Sequence, residues 1–572
     1  MDATHSQPSR RTLLRTGALT GGVLALGAGA VIDSRPSAAS VLPASDPFTL
    51  GVASGDPAPD GFVLWTRLAV DPVAADGLGG MPDSTFEVNW QVATDERFAN
   101  TVKGGVVLAD RSWAHSVHVE VRGLEPGREY WYRFRLGRHL SRAGRALTAP
   151  ALSATPSALT MAFVSCSNFP AGYFTAYRRL AEERPDLVLH LGDYQYEGAG
   201  TGVGRAHIGP ETKTLAGYRQ RHGQYKTDPD LQEAHAAAPW LVVWDDHEVD
   251  NNYADEVAAR AVEQSGFVER RAAAYRAYYE NMPLRRSSVP RGPDLDLYRR
   301  VAWGQLANFH MLDTRQYRSD QACGDGYKDC PDAADPSRSL PGMEQEAWLI
   351  DGFRSSTARW DLLGQQVFFG QRDRDATAAT TVSMDAWDGY PASRQRVTQG
   401  WVDAGVRNPV VLTGDVHAHW ASDLFLDYRE PGAVVGSELV TSSISSGGDG
   451  YDKADGQHPW TEWNPNLRFW TSLRGYVSTT ITATELTARF QCLPYVKTPG
   501  AEVFTRAEFV IEDRVRGLQQ TVDNPSTPIA AGATATSART SAAKSGARAA
   551  AAPSDEQIIA DTIREETHGN GG

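Results

Sequence analysis

Two patterns of apolar residues divide the chain. Between residues 47 and 150, short segments alternate apolar and polar residues, which is typical of strands with one face in a core and the other in water. After residue 158 the apolar segments are continuous, and helical patterns separate them. The continuous segments are 159–165, 186–191, 241–244 and 409–412. Continuous apolar strands that alternate with helices predict a sheet covered on both faces, as in α/β proteins.

The first region has the features of a β-sandwich. Its alternating segments are 62–68, 86–93 and 115–121. A Leu-Glu-Pro-Gly turn at 124–127 then leads into a strand that carries Tyr130 and Tyr132. A turn that feeds a tyrosine-rich strand resembles the tyrosine corner of immunoglobulin-like and fibronectin-like sandwiches. We therefore predict a β-sandwich domain over residues 47–150, without a catalytic cluster of its own.

The second region, residues 158–513, begins in the order strand, helix, strand. This order makes the two strands parallel with a right-handed crossover, so both strands end at the same edge of their sheet. Helices are predicted at 172–183, 258–281, 342–356 and 394–404, and further strands at 297–303, 306–312, 475–482 and 485–491. We expect the last two strands to close a second sheet.

Length and charge narrow the class of protein. A chain of 572 residues is too long for one core, so two or three domains are expected. The net charge of -14 at pH 7 argues against a nucleic-acid-binding surface, since phosphate contacts need clustered Lys and Arg. A phosphate ester remains compatible as a substrate, because bound cations can reverse the local field.

The first 40 residues resemble a twin-arginine export signal. Arg10 and Arg11 precede a Gly- and Ala-rich apolar run at 17–30, which is too short and weakly apolar for a permanent membrane anchor. Cleavage after Ala30 and cleavage after Ala39 both fit, and a basic, unstructured N-terminus is the alternative interpretation. The signal predicts a partner, the twin-arginine export machinery, and a secreted or cell wall-associated protein.

The C-terminal tail and one cysteine pair carry further expectations. Residues 524–572 are predicted to be a disordered, low-complexity tail, because 524–553 has almost no large apolar side chain. A short helix can form at 554–567. Cys323 and Cys330 flank a loop rich in Gly and Asp, and they form either a small disulfide, which export favours, or a loop thiol pair.

Chemically active side chains follow four of the predicted strands. They are Cys166, Asp193 with Tyr196, Asp246 with His247, and Asp415 with His417. The segment 245–252 alone supplies six carboxylates or carboxamides and an imidazole in eight residues. So many anionic donors in one crevice would repel one another or stay protonated without a cation. The sequence therefore predicts a cluster of metal ions.

Several motifs carry a family resemblance. GDYQY, DDHE and GDVH resemble, in this order, the pattern of calcineurin-like metallophosphoesterases. The closer resemblance is to the alkaline phosphatase D (PhoD) family, over residues 47–513, and it rests on FVSCSNF, HLGDYQYE, WDDHEVDNN, LLGQQ, WDGYPASR and LTGDVHAHW. This resemblance implies that the immunoglobulin-like or fibronectin-like β-sandwich is followed by a metallophosphoesterase αββα sandwich.

The resemblance also implies cofactors and ligands. Fe3+ would be held by Cys166, Asp193, Tyr196, Asp415 and His417, and anionic donors of this kind favour the ferric state. Asp193 would bridge to Ca2+, with Asp246 as an oxygen ligand and Asn252 or Asn251 as further ligands. His247 would face the scissile oxygen and stabilise charge instead of binding metal. Asp388 and Arg394 either touch the substrate or form a structural ion pair.

The predicted function is that of a secreted, metal-dependent phosphatase that scavenges phosphate. It would hydrolyse phosphomonoesters and phosphodiesters, small or polymeric, by attack of a metal-activated oxygen nucleophile on phosphorus. The alternative is a phosphodiesterase of phospholipase D-like or teichoic-acid specificity, since loops decide the leaving group. A non-catalytic surface binder is the alternative from another class. A monomer is expected.

Overall fold

The computed structural model describes residues 42–202, 204–377, 379–525 and 553–568. The predicted export signal at 1–40 and residues 526–552 of the predicted tail lie outside the described residues. The helices are α1 (Thr175–Glu183), α2 (Leu215–Lys226), α3 (Pro229–Ala237), α4 (Phe267–Asn281), α5 (Met343–Ser355), α6 (Pro391–Asp403) and α7 (Asp555–His568).

Strands make up most of the remaining regular structure. The first twelve are β1 (Val52–Ala58), β2 (Gly61–Arg67), β3 (Phe86–Ala93), β4 (Thr101–Ala109), β5 (Ser116–Arg122), β6 (Glu129–Leu136), β7 (His139–Leu140), β8 (Gly144–Leu147), β9 (Ala158–Val164), β10 (Leu187–Leu191), β11 (Pro239–Val243) and β12 (Arg299–Trp303). The others are β13 (Ala307–Met311), β14 (Tyr327–Lys328), β15 (Trp360–Gly364), β16 (Val382–Ser383), β17 (Pro409–Thr413), β18 (His419–Leu424), β19 (Gly436–Val440), β20 (Leu467–Thr471), β21 (Arg474–Thr482), β22 (Glu485–Leu493), β23 (Phe504–Glu512) and β24 (Gln519–Asp523).

Two large sheets organise the fold. One has ten strands in the order β24-β23-β22-β21-β9-β10-β11-β1-β2-β5, and the other has seven in the order β12-β13-β15-β17-β19-β18-β20. Strands β9, β10, β11 and β1 run parallel to one another in the first sheet. Strands β13, β15, β17 and β19 do so in the second.

The two sheets pack face to face with helices outside them. Leu189 of β10, Leu362 of β15 and Val410 of β17 belong to one buried cluster between the sheets. The neighbouring residues Leu363 and Val411 point the other way and pack with side chains of α5 and α6, because successive side chains of a strand face opposite sides. Together with the helices that cover the ten-stranded sheet, this gives the expected αββα layering.

The N-terminal sandwich shares a sheet with the larger region. Its core lies between β1, β2 and β5 on one side and the five-stranded sheet of β3, β4, β6, β7 and β8 on the other. Strand β1 pairs in parallel with β11, so the ten-stranded sheet runs across the predicted boundary near residue 150. The predicted tyrosine corner forms, since the backbone N–H of Glu125 donates to the Tyr130 hydroxyl at 3.0 Å.

Some expectations about elements need correction. The strands predicted at 475–482 and 485–491 are β21 and β22, which extend the ten-stranded sheet through β9 instead of closing the second sheet. The helix expected from 258 begins only at Phe267, after the glycine at its N-cap. Helices α2 and α3 and strands β23 and β24 were not predicted.

The end of the C-terminal tail is ordered. The short helix predicted at 554–567 forms as α7 (Asp555–His568), which packs against the seven-stranded region through Ile558. The prediction of disorder over all of 524–572 is therefore wrong for this helix, because its apolar face covers a tryptophan-rich surface. Among the described residues, no helix combines the length and the apolar character that a membrane crossing requires.

Candidate metal centre

Strand ends from both large sheets converge on one buried site. Strands β9, β10 and β11 are followed within three residues by Cys166, Asp193 and Asp246, and β17 of the other sheet is followed by Asp415. Parallel neighbouring strands end at the same edge, so their loops meet without disturbing the packed sheets. The residues of the predicted metal cluster therefore come from two different sheets. The order of the strands in the sequence does not show this.

One group of donors gathers around Tyr196. Its hydroxyl lies 2.9 Å from Oδ2 of Asp193 and 3.1 Å from Nε2 of His417. The ligand atoms of Cys166, Asp193 and His417 all lie within 4.8 Å of one another. A thiol, a carboxylate, a phenol and an imidazole at this spacing can hold one metal ion.

A second group shares a member with the first. Ligand atoms of Asp193, Asp246 and His247 also lie within 4.8 Å of one another. Asp193 therefore belongs to both groups, and its two carboxylate oxygens can serve two neighbouring cations. The carboxylate of Asp415 is in neither group, although its backbone oxygen lies 3.7 Å from Sγ of Cys166.

The backbone at the site is strained in a consistent way. The residues with positive φ include Cys166 at 60°, Asp193 at 55°, Asn252 at 52°, Asp415 at 66° and His417 at 49°. Residues other than glycine rarely adopt this left-handed region, and such conformations concentrate where function requires them. Each of these five positions had been selected from the sequence as a metal ligand.

The charges of the site fit bound cations. Burial raises the pKa of the Cys166 thiol, the Asp193 carboxyl and the Tyr196 phenol, and neighbouring acidic groups raise each of them further. Burial and the nearby Arg474 lower the pKa of His417 to about 3, which leaves its imidazole neutral and able to coordinate. Cations would favour the deprotonated forms of the three acidic donors, so the donor set fits metal ions.

His247 is held by a carboxylate that the sequence analysis did not select. Oε2 of Glu197 lies 2.7 Å from Nδ1 of His247, and both side chains are buried. Although burial opposes it, the charges of Glu197, Asp193 and Asp246 raise the pKa of His247 well above its usual range. With Nδ1 engaged, Nε2 is the nitrogen left to face a substrate.

A buried guanidinium supports the acidic groups around Asp246. Nε of Arg315 donates to Asp245 at 2.5 Å, Nη1 donates to Asp385 at 2.9 Å, and Nη2 lies 3.8 Å from Asp246. Although burial opposes it, Arg315 and His247 hold the pKa of Asp246 below its usual range. Asp246 is thus kept ionised, as an oxygen ligand for a hard cation must be.

Glu248 fixes the turn that carries Asp193. Its carboxylate accepts hydrogen bonds from the backbone N–H groups of Asp193, Tyr194 and Asp245, at 3.1, 2.6 and 2.8 Å. Gly192 precedes this turn with φ at 108°, and a Cβ there would lie 2.3 Å from that of Asp245. The DDHE motif therefore anchors the GDYQY loop as well as supplying donors.

The predicted calcium ligand Asn252 lies beside Asp246. Its backbone N–H donates to Oδ2 of Asp246 at 2.6 Å, and its Nδ2 donates to Asp325 at 2.9 Å. Asp325 belongs to the loop closed by the Cys323–Cys330 disulfide, which the structure forms. The disulfide loop therefore reaches the edge of the metal centre.

Asp388 and Arg394 pair with each other. Nη1 of Arg394 donates to Oδ1 of Asp388 at 2.6 Å, and the pair is buried. Oδ2 of Asp388 accepts from the backbone N–H of Arg372 at 2.9 Å. Neither residue belongs to the donor groups described above, so the structural ion pair is the arrangement formed at these positions.

Helix α7 lies against the metal centre. Oε2 of Glu565 is 4.0 Å from Nδ1 of His417, and its Oε1 is 3.3 Å from Nη2 of Arg474. Glu566 pairs with both terminal nitrogens of Arg372, at 2.7 and 3.0 Å. The end of the predicted tail thus places carboxylates beside a predicted metal ligand.

Sequence reasoning missed several of these supporting residues. Glu197 and Glu248 lie within the motifs HLGDYQYE and WDDHEVDNN. Their short distance along the chain from Asp193 and His247 could have identified them. Arg315, Asp325 and Glu565 lie far from the motifs along the chain, so nothing local in the sequence marked them.

The chain is similar to known proteins over most of its length. A family profile described as PhoD-like phosphatase matches residues 161–490, and a profile of the PhoD-like phosphatase N-terminal domain matches 34–150. Alkaline phosphatase D of Bacillus subtilis (strain 168) is 49% identical over 484 residues, which are 83% of this chain and 82% of that protein. A solved structure named "Structure of PhoD" superposes with a TM-score of 0.82 at 49% identity, covering 85% of this chain and 94% of that one.

Proposed function

This chain belongs to the PhoD-like phosphatase family, and from that premise we propose that it is an exported, metal-dependent enzyme acting on phosphomonoesters and phosphodiesters. Its close relationship to alkaline phosphatase D makes it a phosphoric ester hydrolase. An exported enzyme of this kind would release phosphate from its substrates outside the cell.

The observation that carries the proposal is the shared position of Asp193. One carboxylate stands in two donor groups, each within 4.8 Å, and its backbone is held in the left-handed region. Asp193 would help to hold two neighbouring cations, and a pair of neighbouring cations is what two-metal phosphoesterases use to clamp a phosphate. A purely structural turn would not need strained backbone at five predicted ligands.

The donor chemistry suggests which ions are held. Cys166, Tyr196 and Asp193 offer anionic thiolate, phenolate and carboxylate donors, which favour Fe3+, and His417 adds a neutral imidazole. Asp246 and Asn252 offer the oxygen atoms that suit Ca2+. Asp415 is proposed as a further iron ligand by family resemblance. When bound, these cations would neutralise the charge of the phosphate oxygens and of the attacking oxygen.

The protein's own side chains have separate tasks in this proposal. His247, oriented through Nδ1 by Glu197 at 2.7 Å, presents Nε2 to the departing oxygen and stabilises its negative charge. The Glu197 carboxylate also favours a proton on the imidazole, because it can accept a hydrogen bond from Nδ1–H. The ring of Tyr196 lies beside the imidazole, with ring centroids 4.1 Å apart, and restricts its rotation.

Location and partners follow from the sequence. Arg10 and Arg11 before the apolar run at 17–30 support passage through the twin-arginine machinery, which carries folded proteins. Cofactors can therefore be loaded before export. The substrates are phosphate esters, and we propose a secreted or wall-associated monomer without a permanent membrane anchor.

A direct test compares two chromogenic substrates. The purified mature protein is assayed on nitrophenyl phosphate and on bis(nitrophenyl) phosphate, with Ca2+ and after chelation. The proposal is supported if the protein hydrolyses both substrates, loses this activity on chelation and regains it when Ca2+ is added. A large preference for the diester moves the assignment to a phosphodiesterase of phospholipase D-like or teichoic-acid type, and absence of turnover on both contradicts an enzymatic function.

A further inference from the structure

A buried loop rich in hydroxyl groups follows strand β19. It consists of residues 441–446, Thr-Ser-Ser-Ile-Ser-Ser, all of them fully buried, and we call it the serine loop. Serine and threonine are mostly exposed in proteins. A buried hydroxyl that makes no hydrogen bond costs about 1 to 3 kcal/mol, so the five hydroxyls of this loop require partners inside the protein. These partners show what the loop does.

The serine loop holds the backbone of two proposed iron ligands. The backbone N–H groups of Ser445 and Ser446 donate to the carbonyl oxygen of Cys166 at 3.4 and 3.3 Å. The Ser442 hydroxyl donates to the carbonyl oxygen of His417 at 3.1 Å. Cys166 and His417 both have left-handed backbone, with φ at 60° and 49°. The serine loop therefore stabilises a strained backbone conformation at two of the four strand ends that form the site.

The hydroxyl of Ser446 differs from the others because it contacts the side chain of a proposed ligand. Its Oγ lies 2.7 Å from the hydroxyl oxygen of Tyr196. Since Oγ accepts from the backbone N–H of Asn168 at 3.3 Å, its own hydrogen goes to another acceptor. The carbonyl oxygen of Cys166 lies 2.9 Å away, but it already accepts from two backbone N–H groups. The Tyr196 oxygen is the nearer acceptor.

Metal binding would leave Ser446 as the donor to Tyr196. Asp193 and His417 also lie within hydrogen-bond distance of the Tyr196 oxygen, at 2.9 and 3.1 Å, but both are proposed ligands of the same ion. An ionised carboxylate only accepts hydrogen bonds, and an imidazole nitrogen that coordinates a metal has no proton to donate. Hydroxyl groups that donate to an anionic oxygen lie about 2.5 to 2.7 Å from it, as Ser446 does.

We propose that Ser446 is a positioning residue for iron, whose hydroxyl donates a hydrogen bond to the phenolate oxygen of Tyr196 and sets its direction and donor strength. The inference rests on the proposed function, because it requires Tyr196 to be an iron ligand. Hydrogen bonds to ligand atoms orient the ligands of a metal and tune its reduction potential.

The direction of both effects follows from the charge of the phenolate. A hydrogen bond lowers the energy of the electrons on the Tyr196 oxygen, so their transfer to iron requires more energy. The phenolate-to-iron absorption therefore lies at shorter wavelength than it would without Ser446. The same hydrogen bond makes the phenolate a weaker donor, which stabilises Fe3+ less relative to Fe2+ and raises the reduction potential.

The test uses the full protein loaded with iron and calcium, and two serine variants. Ser446→Ala removes the proposed donor. Ser445→Ala removes a hydroxyl at the adjacent buried position, which donates to the carbonyl oxygen of Asn168 at 2.7 Å, and it is the matched control for damage to the serine loop. Elemental analysis measures the iron content of each protein, visible spectroscopy gives the position of the absorption, and a redox titration gives the midpoint potential.

We expect the absorption of Ser446→Ala at longer wavelength than that of wild type, with a lower midpoint potential, and Ser445→Ala like wild type in both. An absorption at the wild-type position in Ser446→Ala, or equal shifts in both variants, would overturn the inference. If wild type has no such absorption, the iron assignment in the proposed function fails and the inference fails with it. An unshifted absorption in Ser446→Ala overturns the inference alone.

A measurement on wild type decides the case in which Ser446→Ala does not fold or does not hold iron. Resonance Raman spectra are recorded from protein that has been loaded with metal in H2O and in D2O. A hydroxyl that donates to the phenolate carries an exchangeable proton, so the C–O stretch of the phenolate shifts in D2O if the inference is correct. An identical C–O stretch in both solvents would overturn it.

Discussion

Oε2 of Glu197 lies 2.7 Å from Nδ1 of His247. The two residues stand 50 positions apart in sequence, at the ends of loops that leave neighbouring strands β10 and β11. The contact fixes which nitrogen of the imidazole can face the phosphate ester, and Glu197 also accepts from the backbone N–H of Asn251 at 3.1 Å. It thereby ties the orientation of His247 to the loop that carries the predicted calcium ligands.

Removing the charge of Glu197 should slow the reaction without removing metal. Glu197→Gln keeps the side-chain size but weakens the orientation and protonation of His247, and we expect kcat to fall about 10- to 100-fold. Iron and calcium contents, measured by elemental analysis, should stay as in wild type. In a His247→Ala background the same change should have almost no further effect; full additivity of the two losses would show that Glu197 acts elsewhere.

Tyr196 and Tyr194 form a matched pair for testing the iron assignment. The Tyr196 hydroxyl faces Asp193 and His417, whereas the Tyr194 hydroxyl accepts from Lys226 at 2.9 Å and lies 2.9 Å from Nε2 of His235. A phenolate bound to Fe3+ produces a visible charge-transfer absorption, so Tyr196→Phe should lose it and Tyr194→Phe should keep it. An unchanged visible spectrum in Tyr196→Phe would remove this residue from the iron site.

Helix α7 should loosen when Glu566 loses its charge. Glu566→Gln weakens the two-nitrogen contact with Arg372 and the contact from Tyr327 at 2.6 Å. We expect a loss of about 1 to 3 kcal/mol in the local stability of the helix. That corresponds to roughly 5- to 150-fold faster amide hydrogen exchange in α7. Glu556→Gln, at an exposed position of the same helix, should exchange like wild type.

The position of α7 also predicts an effect on access. Because Glu565 stands beside His417, a loosened helix should admit bulky diesters more readily, and their kcat/KM should rise in Glu566→Gln. Equal exchange rates in the two variants would contradict the packing of α7 on this site.

Acid should destabilise the protein partly through His118. Burial lowers the pKa of His118 to about 4, although Nε2 lies 3.0 Å from the carbonyl oxygens of Met282 and Tyr279. The unfolded chain binds this proton near pH 6.5, so the contribution to stability is full above pH 6.5 and is lost as pH falls towards 4. Between pH 7 and pH 5 the loss should be about 1 to 2 kcal/mol.

Denaturant unfolding at the two pH values measures this effect. His118→Gln retains a donor for the carbonyl groups but cannot titrate, so its stability should fall less between pH 7 and pH 5 than that of wild type. The same fall in both proteins would show that other groups carry the acid sensitivity.

The agreement between sequence and structure is greatest where the chemistry is local. Asp193 and Tyr196 are three residues apart after one strand, and their hydroxyl–carboxylate contact of 2.9 Å follows from a short loop on a fixed strand end. Asp246 with His247 behaves in the same way. The tyrosine corner at Tyr130 was also predictable, because a turn and the strand after it lie within a few residues of each other.

Prediction failed where partners are distant along the chain. The Arg315 contacts with Asp245 and Asp385 join residues 70 positions apart, and no local pattern selects one arginine among many. A short helix is predicted where α7 forms, but nothing local in the sequence shows that its Ile558 packs into a tryptophan-rich cluster. Strands β21 and β22 were assigned to the wrong sheet, because alternation shows a strand but not its neighbours.

By itself the sequence determined the layered α/β fold, the sandwich before it, the strand ends that carry the donors and the resemblance to one enzyme family. These features depend on the types of residues and on short spacings between them, and both can be read directly from the sequence. Only the tertiary structure decided that Asp193 serves two donor groups, that Glu197 orients His247 and that α7 closes on His417. Those contacts depend on which strands and helices become neighbours in space. The packing of whole layers of strands and helices decides this, and it depends on burial and charge along the entire chain.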